Sequence, residues 1–166
     1  MFDDLIDANE KYAATFTEHD LTGKAARHLA VVTCIDSRID PLGIFGLVPG
    51  DAKIIRSAGA RVTDDVLRNL VLSVNLLDVD RVVLMPHTDC AMGRTNAAIV
   101  QAVSEASGRD ASAWDFRPIE DPDETLRADL ARIRSCDLIS DRTELVGWRY
   151  DVHTGLVAQV VDHVDG

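Results

Sequence analysis

The side chains best equipped for chemistry fall in two short stretches. Thr33-Cys34-Ile35-Asp36-Ser37-Arg38 puts a thiol, a carboxylate and a guanidinium within five residues, directly after the apolar run His28-Leu29-Ala30-Val31-Val32. A second apolar run, Arg81-Val82-Val83-Leu84-Met85-Pro86, ends in His87-Thr88-Asp89-Cys90. Cys34, His87 and Cys90 together offer two thiolates and an imidazole. That donor set suits zinc, which takes Cys sulfur at about 2.3 Å and His nitrogen at about 2.0–2.1 Å in a tetrahedron. The His87-x-x-Cys90 spacing lets one turn present both side chains to a point, and the fold must span the gap back to Cys34. Two thiolates cancel the charge of one zinc ion per chain and leave a fourth position for water. Zinc lowers the pKa of such a water from about 15.7 to about 7, giving a hydroxide that attacks small electrophilic carbons at neutral pH.

Asp36 and Arg38 lie two apart, so an extended loop points both to one side. Asp36 is close enough to Cys34 to take the fourth metal position itself, in a closed state with no room for hydroxide. Paired with Arg38 instead, it leaves that position open and can accept a hydrogen bond from the bound water. The two residues are therefore expected to act as a catalytic gate.

Both stretches need a scaffold that brings strand ends together. The runs near 28–33, 52–56 and 81–85 read as strands buried on both faces, as in a parallel sheet. Between them lie a short helix begun by Asp40-Pro41 and a long helix opened by Thr63-Asp64-Asp65. Further helices are expected over about 96–107, closed by Gly108, and over 123–135, with an ordered loop between them. Residues 145–152 and 156–161 form a hairpin at a sheet edge. Residues 2 to about 17 make an amphipathic helix outside this alternation, so 1–22 is an N-terminal helical arm and linker on a single domain spanning 1–166. The expected class is α/β, a central mostly parallel sheet flanked by helices. In such sheets ligands sit beyond the carboxyl ends of the strands, where Cys34 and His87 both fall.

Composition narrows the rest. With 166 residues and 46% hydrophobic content the chain can bury one real core. A net charge of −11 and no basic face argue against nucleic acid. No run is long enough to span a bilayer, and the acidic start Met1-Phe2-Asp3-Asp4 is unlike a signal peptide, so no membrane partner and a cytoplasmic location are expected. An odd count of three cysteines fits reduced thiols. Asp89 reads as a cap for the following helix and Cys136 as an inert thiol. Trp114 and Phe116 read as packing residues, and His19, His28, His153 and His163 as surface histidines.

Cys34-Ile35-Asp36-Ser37-Arg38 with His87-Thr88-Asp89-Cys90 resembles the Cys-x-Asp-x-Arg and His-x-x-Cys pair of β-class carbonic anhydrases. The likeness runs from about His28 through the third strand and the helix after it. It implies zinc on Cys34, His87 and Cys90, gating by Asp36 and Arg38, reversible hydration of carbon dioxide to bicarbonate, and a homodimer or homotetramer. Arg56-Ser57-Ala58-Gly59-Ala60 resembles a family segment whose small residues let backbone approach the site, which makes Gly59 a substrate-binding candidate. The sequence departs from the family at Ala25, where plant-type members carry glutamine, at Ser57, where asparagine is frequent, and at Ala91, where glycine is. Carbonyl sulfide and carbon disulfide hydrolases share the same site, so hydrolysis of those molecules is the alternative activity. A zinc-stabilised binding module without catalysis is a further alternative, one that gives no reason for the Asp36/Arg38 pair.

Overall fold

A computed structural model describes residues 1–162; His163 lies outside them. One five-stranded sheet organises the chain, built from β1 (Leu29–Cys34), β2 (Ala52–Ser57), β3 (Arg81–Met85), β4 (Glu144–Tyr150) and β5 (Val157–Val161). Its order is β2-β1-β3-β4-β5. The first four strands are parallel and β5 returns antiparallel along β4, the expected edge hairpin. The helices are α1 (Asp3–Ala13), α2 (Pro41–Phe45), α3 (Asp64–Leu76), α4 (Asn96–Ser107) and α5 (Pro122–Arg134).

Alternation along the strands divides the apolar side chains between two faces. Ala30 and Val32 of β1, Val82 and Leu84 of β3, and Leu145 of β4 pack under Val66 and Leu70 of α3 and Leu126, Leu130 and Ile133 of α5. Val31, Val83, Val146 and Trp148 face the other way, toward Ile39, Ile44 and Phe45 in and beside the five-residue α2. The first face is therefore well covered and the second only in part. Gly147 permits the close seating of α5 on β4, since a Cβ there would come within 2.8 Å of the Leu130 Cδ1 and 3.1 Å of Leu126. Arg61, just after β2, extends the same docking: its guanidinium holds Asp129 of α5 at 2.7 Å and the carbonyls of Arg117 and Pro118.

Several boundaries differ from those read off the sequence. α1 ends at Ala13 rather than near 17, where the Thr15 hydroxyl and amide both turn back to the Tyr12 carbonyl and β-branched residues disfavour another turn. α5 begins one residue early because Asp121 caps it, accepting from the amides of Asp123 and Glu124, with Pro122 in the first helical position. Asp40 sits at the cap position of α2 without a side-chain cap bond; its carboxylate lies over Gly43 instead. Trp114 is not a core residue: it is two-thirds exposed and stacks on Phe116. Thr63, Asp64, Asp65 and Gly108 take their expected places at helix ends.

Substituting Gly147→Val is expected to cost about 1–3 kcal/mol by overpacking the β4–α5 contact. Urea unfolding should show a lower midpoint with an unchanged slope; an unaltered midpoint would mean that α5 has room to move.

Candidate metal centre

Parallel pairing of β1 with β3 sets Thr33 opposite Met85, so both chemistry-bearing loops leave the same edge of the sheet. The wholly buried Thr33 hydroxyl donates to the Met85 carbonyl at 2.8 Å, a tie one residue before Cys34 and two before His87. Past Met85 the chain stays extended beside β4. The Tyr150 amide donates to the Pro86 carbonyl at 3.0 Å, and the Thr88 amide to the Tyr150 carbonyl at 2.9 Å. The His87 side chain is thereby fixed with no exposed surface.

One ligand atom each from Cys34, His87 and Cys90 lie within 4.8 Å of one another. Ligands of a tetrahedral zinc stand roughly 3.5 Å apart, so small side-chain adjustments bring all three onto one ion. His87 Nδ1 donates to the Thr88 carbonyl at 2.9 Å, which fixes the tautomer and leaves the Nε2 lone pair free for a metal. That Nε2 is buried and has no hydrogen-bond partner among the described residues. Leaving a buried polar atom unpaired costs about 1–3 kcal/mol, and a cation between the ligands would satisfy it.

Charge at the site asks for a cation as well. The neighbouring Cys90 thiol, against the opposing effect of burial and together with His87 and the amides of Asp36 and Gly59, holds the Cys34 pKa down to about 3. The Cys34 sulfur and burial together push the Cys90 thiol up. A divalent ion between the two sulfurs would let both be thiolates. Burial opposes a charge on His87, but the Cys34 sulfur and Asp36 outweigh it and raise the ring.

Asp36 and Arg38 form a forked pair. Arg38 Nε and Nη2 donate to the two Asp36 oxygens at 3.0 and 2.7 Å, and the Arg38 amide adds a third bond at 2.9 Å. The Arg38 side chain and amide together hold the Asp36 carboxyl well below the usual carboxylate range. Asp36 Oδ2 remains 3.8 Å from His87 Nε2, beside the place a metal would take. The Gly59 amide donates to Cys34 Sγ at 3.2 Å, and its φ of +65° is left-handed. A Cβ at Gly59 would meet the Ile119 Cδ1 at 2.8 Å and Met92 at 3.2 Å, so glycine is what fits there. A cleft of about 140 Å³ opens onto these residues, lined also by Ile35, Ala58, Ala91 and Met92. Drug-sized ligands occupy about 300–1,000 Å³, so this one suits a much smaller molecule.

All six expected site residues therefore meet in one place. Two further contributors were not read from the sequence. Arg56, at the end of β2, reaches across to the loop after Cys34 and donates to the carbonyls of Cys34 at 3.0 Å, Asp36 at 3.2 Å and Ile39 at 2.5 Å. The visible hint was an arginine directly after the apolar pair Ile54-Ile55, near the end of the strand. Asp89 was expected to cap the next helix, but α4 starts only at Asn96 and is capped by Thr95. Asp89 instead takes a left-handed φ of +54° and accepts from Arg38 Nη1 at 2.8 Å. Of the departures, Ala25 is buried in the core, and the Ser57 hydroxyl donates to the Arg61 carbonyl.

The parallel sheet gathers two cysteines and a histidine that could hold a metal ion at the ends of neighbouring strands, and the carbonic anhydrase family model matches residues 29–129. Beta-carbonic anhydrase 1 of Mycobacterium tuberculosis is 35% identical, with 95% of this chain and 96% of that protein covered. The chain belongs to the β-carbonic anhydrase family. A crystal structure of a carbonic anhydrase from Streptococcus mutans superposes with a TM-score of 0.89 at 39% identity, covering 96% of both chains. A carbon disulfide hydrolase of Acidithiobacillus thiooxidans is similar too, at 29% identity over 78% of this chain and 75% of its own.

Removing Arg56 strips one donor group from three carbonyls around Cys34. On the zinc reading proposed below, Arg56→Ala is expected to weaken zinc binding by about 10–100-fold, as loss of an outer-shell partner does. Competition against a chelating dye measures this, and wild-type affinity would show that the loop holds its shape unaided.

Proposed function

We propose that the protein catalyses reversible hydration of carbon dioxide to bicarbonate at one zinc ion held by Cys34, His87 and Cys90. The observation that carries this is the Cys34–His87–Cys90 cluster, with an unpaired His87 Nε2, opening onto a cleft sized for a very small molecule. Zinc bound there supplies Lewis acidity and deprotonates a water near neutral pH. The chain's residues do the rest. Gly59, Ile35, Ala58 and Met92 wall the cleft and keep the reacting carbon near the ligands. Asp36, ionised and aimed toward His87 Nε2, accepts the proton-bearing side of the attacking water and so orients it. Arg38 holds Asp36 away from the metal, and loss of that hold lets the carboxylate close the site.

A second reading is favoured by the apolar character of Ile35, Ala58, Ala91 and Met92 and by the similarity to a carbon disulfide hydrolase. On that reading the same residues hydrolyse carbonyl sulfide or carbon disulfide. The zinc ligands do not choose between these linear molecules.

Self-association as a homodimer or homotetramer fits two features. Helix α1 has no buried residue and presents Phe2, Leu5, Ile6 and Tyr12 to solvent, and the α2 face of the sheet is only partly covered. A net charge of −11 gives no support to a nucleic-acid partner. No helix among the described residues is long and apolar enough to cross a membrane. The need to keep Cys34 and Cys90 reduced for the metal fits the cytoplasm.

Metal analysis with stopped-flow carbon dioxide hydration tests the main reading. Wild type should carry one zinc per chain and hydrate carbon dioxide, and Cys34→Ser should lose both. A zinc-loaded but inactive wild type that hydrolyses carbonyl sulfide or carbon disulfide in a headspace assay would select the second reading, and absence of zinc would remove both. Sedimentation velocity should give a dimer or larger species at micromolar concentration; a monomer would refute the association.

A further inference from the structure

We infer that Asp89 is a positioning residue, which holds Arg38 and through it Asp36 in the open arrangement. The inference rests on the gating reading proposed above and deepens it. A guanidinium has five N–H donors in a rigid plane. Arg38 Nε and one Nη2 proton go to Asp36, while Nη1 donates to Asp89 Oδ2 at 2.8 Å and Nη2 also to the Asp89 carbonyl at 3.0 Å. Asp89 therefore grips the guanidinium with both its carboxylate and its backbone, along the Nη1/Nη2 edge, while Asp36 takes the Nε/Nη2 edge. Arg38 is 42% exposed, and its contacts to Asp36 alone would tie it only to a neighbour two residues away on the same loop. The contacts to Asp89 tie it to the other ligand loop, between His87 and Cys90.

The conformation of Asp89 makes this grip possible. Its φ of +54° is left-handed, a region that aspartate tolerates better than most residues, and it turns carbonyl and carboxylate toward the same arginine. An ordinary surface ion pair contributes little and needs no such backbone. Here the pair crosses between two loops and fixes the plane of the fork that Asp36 must meet. With the Asp89 carboxylate gone, Arg38 is freer to swing into solvent, and Asp36 turns to the metal more often.

Cobalt-substituted protein tests this, because its visible spectrum reports whether the fourth position accepts an added anion such as thiocyanate. Asp89→Gly removes the side chain and suits the left-handed backbone. It is expected to bind thiocyanate about three- to fivefold more weakly, with one metal per chain and an unchanged circular dichroism spectrum. Asp89→Asn keeps an acceptor oxygen and tolerates the same backbone, so it should recover most of the affinity. Arg38→Ala is the control and should weaken binding further. Unchanged or tighter thiocyanate binding in Asp89→Gly, or no recovery in Asp89→Asn, overturns the inference while a weakened Arg38→Ala leaves the gate standing. Wild-type binding in Arg38→Ala overturns the gate itself.

Discussion

The site depends first on the in-register parallel pairing of β1 with β3. Cys34 lies far from His87 and Cys90 in sequence, and only a crossover connection can return the chain parallel to its first strand. Here β2 and α3 fill that connection, and their apolar faces bury Val32, Ile55, Val82 and Leu84 on the way. Because Thr33 faces Met85, a slip of one residue would move Cys34 off the ligand position and turn each inward side chain outward. The buried Thr33 hydroxyl on the Met85 carbonyl opposes such a slip at the point where it would do most harm.

Around that pairing the polar groups sort by charge. The Cys34 and Cys90 sulfurs, His87 Nε2 and the ionised Asp36 carboxylate all come together at one point. The cations nearby are arranged around the loops rather than at that point. Arg56 is spent on three backbone carbonyls, and Arg38 on Asp36 and Asp89. Neither arginine points its charge into the Cys34–His87–Cys90 cluster, which could instead hold a metal ion. The acidic balance of the whole chain matters much less here than these few atoms.

What the sequence shows well is what repeats at short range. Apolar runs gave the strands, Thr63 and Gly108 marked helix ends, and the two cysteine-bearing stretches gave the clustered Cys34, His87 and Cys90 and the Asp36–Arg38 pair. Contacts between distant segments are not written in any local pattern. Arg56 looked like part of a loop signature because its partners follow a different strand. Asp89 looked like a helix cap because acids before helices usually are, and the six-residue delay before Asn96 depends on a turn that no spacing rule marks. Arg61 gave no sign of Asp129, which lies on a helix placed there by the sheet order. The local rules picked out these residues, and tertiary contacts decided how they are held.

The gating reading meets a difficulty of magnitude, and the structure suggests how it is met. Asp36 is held well below the usual carboxylate range, so protonation is not what would release it; the choice is between two cations, Arg38 and the metal. An exposed arginine pair is a weak competitor against a divalent ion. It gains by being several bonds at once: two side-chain contacts and the Arg38 amide converge on one carboxylate. It gains again from preorganisation, because a guanidinium already fixed by the opposite loop loses less freedom on meeting Asp36. Short separation in sequence then works for the gate rather than against it. On the proposed gate Asp36 already stands 3.8 Å from His87 Nε2, so a modest bias in how Arg38 is held would set which partner it keeps.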